Sequence, residues 1–481
     1  MARDETVTQA LHRLTSYQPD RDWTVPVADE RIVQDLEVND FDRFPWPYKR
    51  YDERLPRREL TAELPSTSVS ALSVLAGTAR PDRAELDLAQ LARLLFLSSG
   101  VVRTTDRRGH RFLFRASGSA GARFPLELYV AVPAGGALPA GVHWYDPEGH
   151  ALVEVGPVPV GDAPAIVVTG VPWRTGWRYR ERGYRHIYWD GGTMLSQLLA
   201  LSGSAGIPAG LVTRFPDATL DALVGADGVH EFSVAVVSLG QGSPRLEPTG
   251  HAAAGAVDGA PLEFPLVTAA QGAGRLESWG EAWPRGEPTA APDAGPSVDE
   301  VIVRRTSQRR MDRSRGLSRS VLDTSMAAAM REIYVPHWVV VHDVEGVDPG
   351  VYGWPDLTAP VQTGDLREEL HRIALDQGLA RDAAFVVVSA TRVAGLDDRG
   401  YREAQLAAGL VEGRLHLCAY AQRASASGMT FLDSEIPGLL GDVVDALLFT
   451  CVGVPQYASK RAGLPGSPTD FRMVIPRLDG A

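Results

Sequence analysis

The chain has 481 residues, 44% of them hydrophobic and 22% charged, with a formal net charge of −12. That length has room for two substantial cores, and the acidic balance excludes non-specific nucleic-acid binding, which needs a basic face. No run approaches the roughly 18 apolar residues of a membrane span, and the charged start Met1-Ala2-Arg3-Asp4-Glu5 lacks a hydrophobic signal core, so a cytoplasmic protein is expected.

In chain order, residues 1–64 carry little periodicity and include Phe44-Pro45-Trp46-Pro47-Tyr48, which predicts an extended N-terminal arm lying on the body. Asp87 to Leu97 reads as an amphipathic helix through Leu88, Leu91, Leu94 and Leu95. Residues 125–133 and 164–169 are alternating or β-branched runs, expected as strands. Arg185 to Ala205 reads as a helix whose Gly191-Gly192 either weakens it or marks a close backbone approach. Residues 241–299 are rich in Gly, Pro and Ala and read as a linker, with Leu262 to Val267 docking as an edge segment. A second long helix is expected from about Glu403 to Ala424. Cys418 and Cys451 sit in apolar surroundings without metal-ligand spacing, which suits buried reduced thiols. Helix and strand alternate in each half, with too few helices for a barrel, so the class is α+β.

The two halves echo one another in register. Val335-Pro336-His337-Trp338-Val339-Val340-Val341 matches Phe124-Pro125-Leu126-Glu127-Leu128-Tyr129-Val130, and Pro349-Gly350-Val351-Tyr352 matches Ala140-Gly141-Val142-His143. Val386 to Ser389 matches Ile166 to Thr169, Arg399-Gly400-Tyr401-Arg402 repeats Arg182-Gly183-Tyr184-Arg185, and Leu448 to Gly453 matches Ala235 to Gly240. Five echoes in one order indicate one fold used twice. The expected organisation is an arm (1–64), a first domain (65–240), the linker (241–299), a second domain (300–475) and a short tail (476–481).

Three segments carry chemistry. Val303-Arg304-Arg305-Thr306-Ser307-Gln308-Arg309-Arg310-Met311 sets four arginines and two hydroxyls in seven residues. Such a segment either grips a terminal phosphate bidentately or is a solvated basic patch. Arg115-Ala116-Ser117-Gly118-Ser119-Ala120-Gly121-Ala122-Arg123 runs into a strand. Its small residues let backbone approach a flat ligand, or form a plain turn. Trp173 to Arg185 mixes aromatics with arginine, as either the wall of a site or a surface helix start.

These residues resemble the flavin-dependent nitroreductase superfamily, in particular the SagB-type azoline dehydrogenases. Arg-Ala-Ser-x-Ser-Ala-Gly-Ala-Arg-Phe-Pro-Leu-Glu-Leu-Tyr-Val (115–130) is similar to that family's ring-binding loop and strand. Residues 177–185 with Asp190-Gly191-Gly192 resemble its next block, Arg304 to Arg309 its phosphate-binding segment, and Val452 to Pro455 its closing strand. The resemblance covers roughly residues 60–240 and 300–475. It implies two tandem nitroreductase-like domains, each a mixed sheet flanked by helices, forming a pseudo-dimer within one chain, with FMN held between them.

The first half has Ser66-Thr67-Ser68-Val69-Ser70 where the second has its arginines, and the second half lacks a Ser-Ala-Gly loop. The resemblance therefore implies one FMN per chain. Arg304, Arg305, Ser307 and Arg309, with Lys460 and Arg461, would hold the phosphate, and Arg115, Ser117, Ser119, Ala120 and Gly121 the ring. Lys49 and Lys460 are the only lysines among 48 basic residues. The family's Lys-Tyr catalytic pair falls on Arg178-Tyr179. Arginine stays protonated, so Arg178 can stabilise an anion or assist Tyr179 but cannot itself be the base. Glu181, His186 and Asp190 are weaker proton-transfer candidates.

The expected activity is dehydrogenation of azolines to azoles in a ribosomally made precursor peptide, with hydride passing to the flavin. Two alternatives stand beside it: an NAD(P)H-dependent flavin oxidoreductase acting on a small molecule, and a flavin-less peptide-binding scaffold. The acidic surface and the arm would permit docking to a cyclodehydratase, and the tandem leaves room for a further homodimer.

Overall fold

The computed structural model describes residues 5–19, 28–107, 109–240 and 243–475; the expected tail at 476–481 lies outside them. The first half contains β1 (Arg57–Glu59), a hairpin of β2 (Val101–Arg107) and β3 (His110–Arg115), then β4 (Leu126–Val132), β5 (Gly141–Asp146), β6 (Ala151–Gly156), β7 (Ala165–Gly170), β8 (Gly210–Val212) and β9 (Phe232–Ser238). The second contains β10 (His337–Val341), β11 (Gly350–Gly353), β12 (Gln362–Thr363), β13 (Phe385–Thr391), β14 (Ser425–Met429), β15 (Asp445–Gly453) and β16 (Thr469–Asp470). The first sheet runs β1-β6-β5-β4-β7-β9-β8 and the second β12-β11-β10-β13-β15-β14. Apart from β1 the two orders are the same, and every echoed segment falls on an equivalent element. The Val-rich strands β10, β13 and β15 bury both faces against apolar clusters, which explains their lack of clean alternation.

The helices of the first half are α1 (Val7–Leu14), α2 (Ala71–Ala76), α3 (Leu88–Ser99), α4 (Pro172–Tyr179), α5 (Gly183–Ser204) and α6 (Asp217–Val224). Next come α7 (Pro265–Ala273), α8 (Val298–Arg304), α9 (Arg319–Ala329), α10 (Arg367–Ile373), α11 (Gly378–Asp382), α12 (Asp398–Ala421) and α13 (Ile436–Leu440). The long helices α5 and α12 are buried almost throughout and pack on each other between the sheets, as helices without a solvent face must. A Cβ on Gly192 would collide with the α12 backbone at Leu406 and Leu410, and one on Gly409 with the α5 backbone at Trp189. Gly191-Gly192 therefore marks the close approach; each glycine costs helix propensity of about 1 kcal/mol, offset by the contact it permits. One apolar core runs continuously from Leu95 through Leu195 to Leu410 and Leu448, across both halves.

The Arg-Gly-Tyr-Arg repeat opens both central helices, and each copy crosses to the other half. Arg182 and Arg185 reach Asp433 at 2.7 and 2.6 Å, while Arg399 and Arg402 reach Asp217, both at 2.9 Å. Asp217 and Asp433 follow the equivalent strands β8 and β14 and are buried. The two clamps are related as the halves are.

Two expectations change. The arm is not wholly extended: α1 starts at a capping box, Thr6 with Gln9, and buries Ala10 and Leu11. Eight residues are too short for their periodicity to stand out. The segment at 262–267 is not an edge strand, because Pro265 takes the first turn of α7, where its missing N–H costs nothing. Among the described residues no helix is long and apolar enough to cross a membrane, and no cluster of His, Cys, Asp or Glu is placed to hold a metal. Cys418 and Cys451 are buried free thiols.

Candidate active site

Two adjoining cavities open between the halves. The first, about 280 Å³, is lined by Arg103, Arg115, Arg305, Arg309, Lys460 and Arg472, and no carboxylate lines it. Each half supplies part of it. Arg305, just past the C-terminus of α8, donates from Nη2 to the Ala116 carbonyl of the first half at 2.7 Å. Its buried Nε and Nη1 have no partner. Arg103 on β2 reaches the other way, to the carbonyls of Lys460 and Val303 at 2.9 and 3.1 Å. Burial pulls both guanidinium pKa values down to about 10, that of Arg103 also through the charge of Arg305, so both stay charged at neutral pH. Thr306, Ser307 and Ser459 add hydroxyls. Buried cations without counter-carboxylates are costly unless an anion pairs with them.

The C-terminal segment closes this cavity. β16 pairs in parallel with β2 at Thr469↔Arg103 and Asp470↔Thr104, forming a three-stranded sheet with β3. Phe471 then packs edge-on against Phe114, with ring centres 4.9 Å apart.

The second cavity, about 360 Å³, joins the first at Gly118, Ser119, Ser307 and Arg309. Its walls include Arg178, Tyr179, His186, Asp190, Glu412 and Ser427. The loop between β3 and β4 is fixed by Asp190, which accepts from Ser119 Oγ at 2.5 Å and from the Ala120 N–H at 2.9 Å. Burial raises the Asp190 pKa well above the usual carboxylate range. Gly121 has φ +57°, and a Cβ there would strike Tyr179 Oη at 2.5 Å; only glycine brings the loop this close to the phenol. Arg178 donates to Asn39 Oδ1 of the arm at 3.2 Å and lies 5.6 Å over the Tyr179 ring. The edge of Tyr179 meets His186, with ring centres 4.1 Å apart. Burial and the guanidinium groups of Arg182 and Arg185 hold His186 neutral, its pKa well below the usual value.

A protein of Methanocaldococcus jannaschii named as a nitroreductase is 31% identical over 147 residues, which span 27% of this chain and 71% of that protein. The chain belongs to the nitroreductase family. No protein-family profile matches it. A solved structure from Anabaena variabilis, described as a nitroreductase, superposes with a TM-score of 0.71 over 94% of this chain and all of that one, at 21% identity. A nitroreductase of Exiguobacterium sibiricum, solved in complex with FMN, covers 33% of this chain and 89% of its own at 13% identity and a TM-score of 0.26. The nitroreductase fold thus occurs here twice in tandem, and the family is one of oxidoreductases.

Within this fold the site residues expected from sequence divide. Arg305, Ser307, Arg309, Ser117, Ser119 and Lys460 line the first cavity, and Arg178, Tyr179, Ala120 and Gly121 the second. Arg304 and Arg461 line neither. Arg304 ends α8 on its exposed side, 3.9 Å from Glu300 one turn back, and Arg461 is exposed beyond the cavity. Arg115 touches the wall but is a structural group, because its guanidinium serves Ser99, the Leu126 carbonyl and the Pro47 carbonyl. Lys460 Nζ donates to the Asp470 carbonyl at the rim, 2.8 Å away. Of the Trp173–Arg185 wall only Arg178 and Tyr179 reach either of these two cavities. Glu181 accepts the Val33 N–H at 2.6 Å and anchors the arm. Sequence reasoning missed Arg103, Arg472 and Glu412; the only signal was an arginine in the β-branched run Val101-Val102-Arg103-Thr104-Thr105.

A third cavity, about 630 Å³, occupies the pseudo-symmetric position beside Ser196 of α5, Arg331 and Arg80. The segment 282–285 lines it: Trp283 donates from its backbone to the Leu211 carbonyl at 2.6 Å and from Nε1 to the Glu332 carbonyl at 3.2 Å. Its arginines are engaged with backbone, Arg331 with Leu75 and Arg414 with Ala329 and Arg331.

Proposed function

We propose that this protein is an FMN-dependent dehydrogenase that binds one FMN per chain and oxidises azoline rings of a peptide to azoles. The observation that carries the cofactor assignment is the carboxylate-free first cavity, with the two unpartnered N–H groups of Arg305 buried in it. A phosphate monoester supplies the missing acceptors, and Arg305, Arg103, Arg309 and the hydroxyls of Thr306, Ser307 and Ser459 would hold it. The adjoining cavity, walled by the Ser119–Ala122 loop, Asp190 and Tyr179, has the width and the glycine-lined backbone for a flat ring system. The azoline part rests on the resemblance of residues 115–130 and 177–192, of which Gly118 to Arg123, Arg178, Tyr179 and Asp190 stand in those walls. FMN supplies hydride acceptance; the protein supplies alignment and the proton path.

Tyr179 is the proton-handling group in this reading. Its phenol sits against Gly121 at the cavity wall with the Arg178 guanidinium 5.6 Å over its ring, which sets a hydrogen-bonding oxygen and a cation where the ring C–H proton would leave. Neutral His186 supports the ring from behind without competing charge. The test is the visible spectrum of the purified protein, with release and quantification of flavin, followed by an azoline-peptide assay of wild type and Tyr179→Phe. One FMN per chain, azole formation, and a loss of rate of about a hundredfold in the variant are expected. Two FMN per chain would overturn the stoichiometry. Flavin bleaching by NAD(P)H without azole formation would turn the reading to a small-molecule reductase, and absence of flavin to a scaffold.

A further inference from the structure

One carboxylate beside the joint of the two cavities has no task in the mechanism above. Glu412 lies on α12 with its side chain 14% exposed. Its Oε2 is 3.5 Å from Thr193 Oγ1 and its Oε1 is 3.6 Å from His416 Nε2; among the described residues it has no shorter hydrogen bond. Burial lowers the His416 pKa, partly opposed by its contact with Glu412, so that imidazole offers little charge. Opposite stands Gly428 of β14. A Cβ there would run into Glu412 Oε1, so the glycine leaves room for the carboxylate. Asp190, the other acid on this wall, is committed to Ser119 and the Ala120 N–H. Among the described residues Glu412 is thus a largely buried acceptor at the cavity wall whose only hydrogen bond given by a neutral side chain is the long one from Thr193, an arrangement that a donor on a ligand would complete.

The position says which ligand atom. The Thr193 side chain that touches Glu412 also lies 3.4 Å from where a Cβ of Gly118 would stand, and Arg305 Nη1 and Ser307 Oγ lie 3.6 Å from the same point. Glu412 therefore sits near the passage from the cationic cavity to the flat one. FMN brings donors of two kinds, the ribityl hydroxyls and one ring N–H on its pyrimidine ring, and only the second couples a neighbouring carboxylate directly to the ring's redox state. We propose that Glu412 accepts that N–H and sets the reduction potential of the bound flavin; this rests on the FMN reading above. Two-electron reduction, by dithionite in a titration, takes FMN with two electrons and one proton to the anionic hydroquinone. The added charge lies on the ring beside Glu412, so the carboxylate holds the potential down.

Glu412→Gln keeps the size and an acceptor oxygen and removes the charge. A spectroelectrochemical titration of the FMN-loaded wild type and variant is expected to show the variant's midpoint at least about 30 mV more positive, a tenfold gain in relative hold on reduced over oxidised FMN. A variant with wild-type thermal stability that no longer retains FMN also supports the contact. FMN at wild-type stoichiometry with an unchanged potential overturns this inference and leaves the cofactor reading standing. A wild-type protein that takes up no FMN overturns both.

Discussion

Single side chains here divide into those that face a cavity and those that hold its walls, and substitution separates the two. Arg305 has two buried N–H groups without partners. A charge-assisted hydrogen bond contributes about 1.5–3 kcal/mol, so Arg305→Ala is expected to weaken FMN binding by roughly tenfold to a hundredfold. Arg304→Ala, on the exposed side of α8, is expected to leave affinity unchanged; quenching of flavin fluorescence reads both. The sequence run Arg304-Arg305 could not separate the two, because helix phase decides which arginine turns inward and that phase depends on where α8 stops. Ser119 and Gly121 were legible from the small-residue loop, whereas Glu412 was not, since it is one of several charged residues along α12 and carries no local pattern.

A second residue-scale consequence concerns pH. His337 is buried between the Val335 carbonyl and Ser389 Oγ, and burial depresses its pKa to about 4, partly opposed by the bond to Val335. The unfolded chain takes up a proton near 6.5 and the folded one only near 4. The neutral imidazole's contribution is therefore full above pH 6.5 and lost as pH falls toward 4, up to about 3 kcal/mol. Melting temperature measured from pH 7 to 4.5 is expected to fall, and less steeply in His337→Gln.

At the scale of elements, the paired Arg-Gly-Tyr-Arg segments explain why the repeat is conspicuous in the sequence. They do not face a substrate; each clamps an aspartate of the opposite half. The pattern was visible, but its partner was not, because Asp217 and Asp433 stand far away in sequence and follow short strands with no signature. Removing Asp433 leaves two buried guanidinium groups unpaired, a loss of about 3–5 kcal/mol. Asp433→Ala and Asp217→Ala are each expected to lower the urea midpoint strongly. An equal loss in Asp433→Ala and in a surface substitution such as Asp323→Ala would refute the clamp. The linker was misread for a related reason: α7 is one of the few ordered turns in a Gly- and Pro-rich stretch, and its apolar face shows only when Leu266 and Val267 meet the core.

Over the whole molecule, the halves are held by the α5–α12 contact, the reciprocal clamps and a core without a break, not by the chain that joins them. Cleavage by a protease site inserted at the exposed turn near Asp293 is therefore expected to leave both halves together on gel filtration. Separation of the fragments would show that the covalent link matters more than the interface. The duplication itself was legible from five echoes in order, and so was its α+β class. The inequality of the two cavities was half legible: the missing cations at 66–70 could be read, but not that residues 282–285 line the second place.

The segment that closes the first cavity, β16 with Phe471, is made some 365 residues after Arg103, the strand residue it pairs with. On the ribosome, then, the cationic pocket exists only as fragments until synthesis has passed residue 474. On the FMN reading proposed above, the cofactor would load only once the chain has been made through this closing segment.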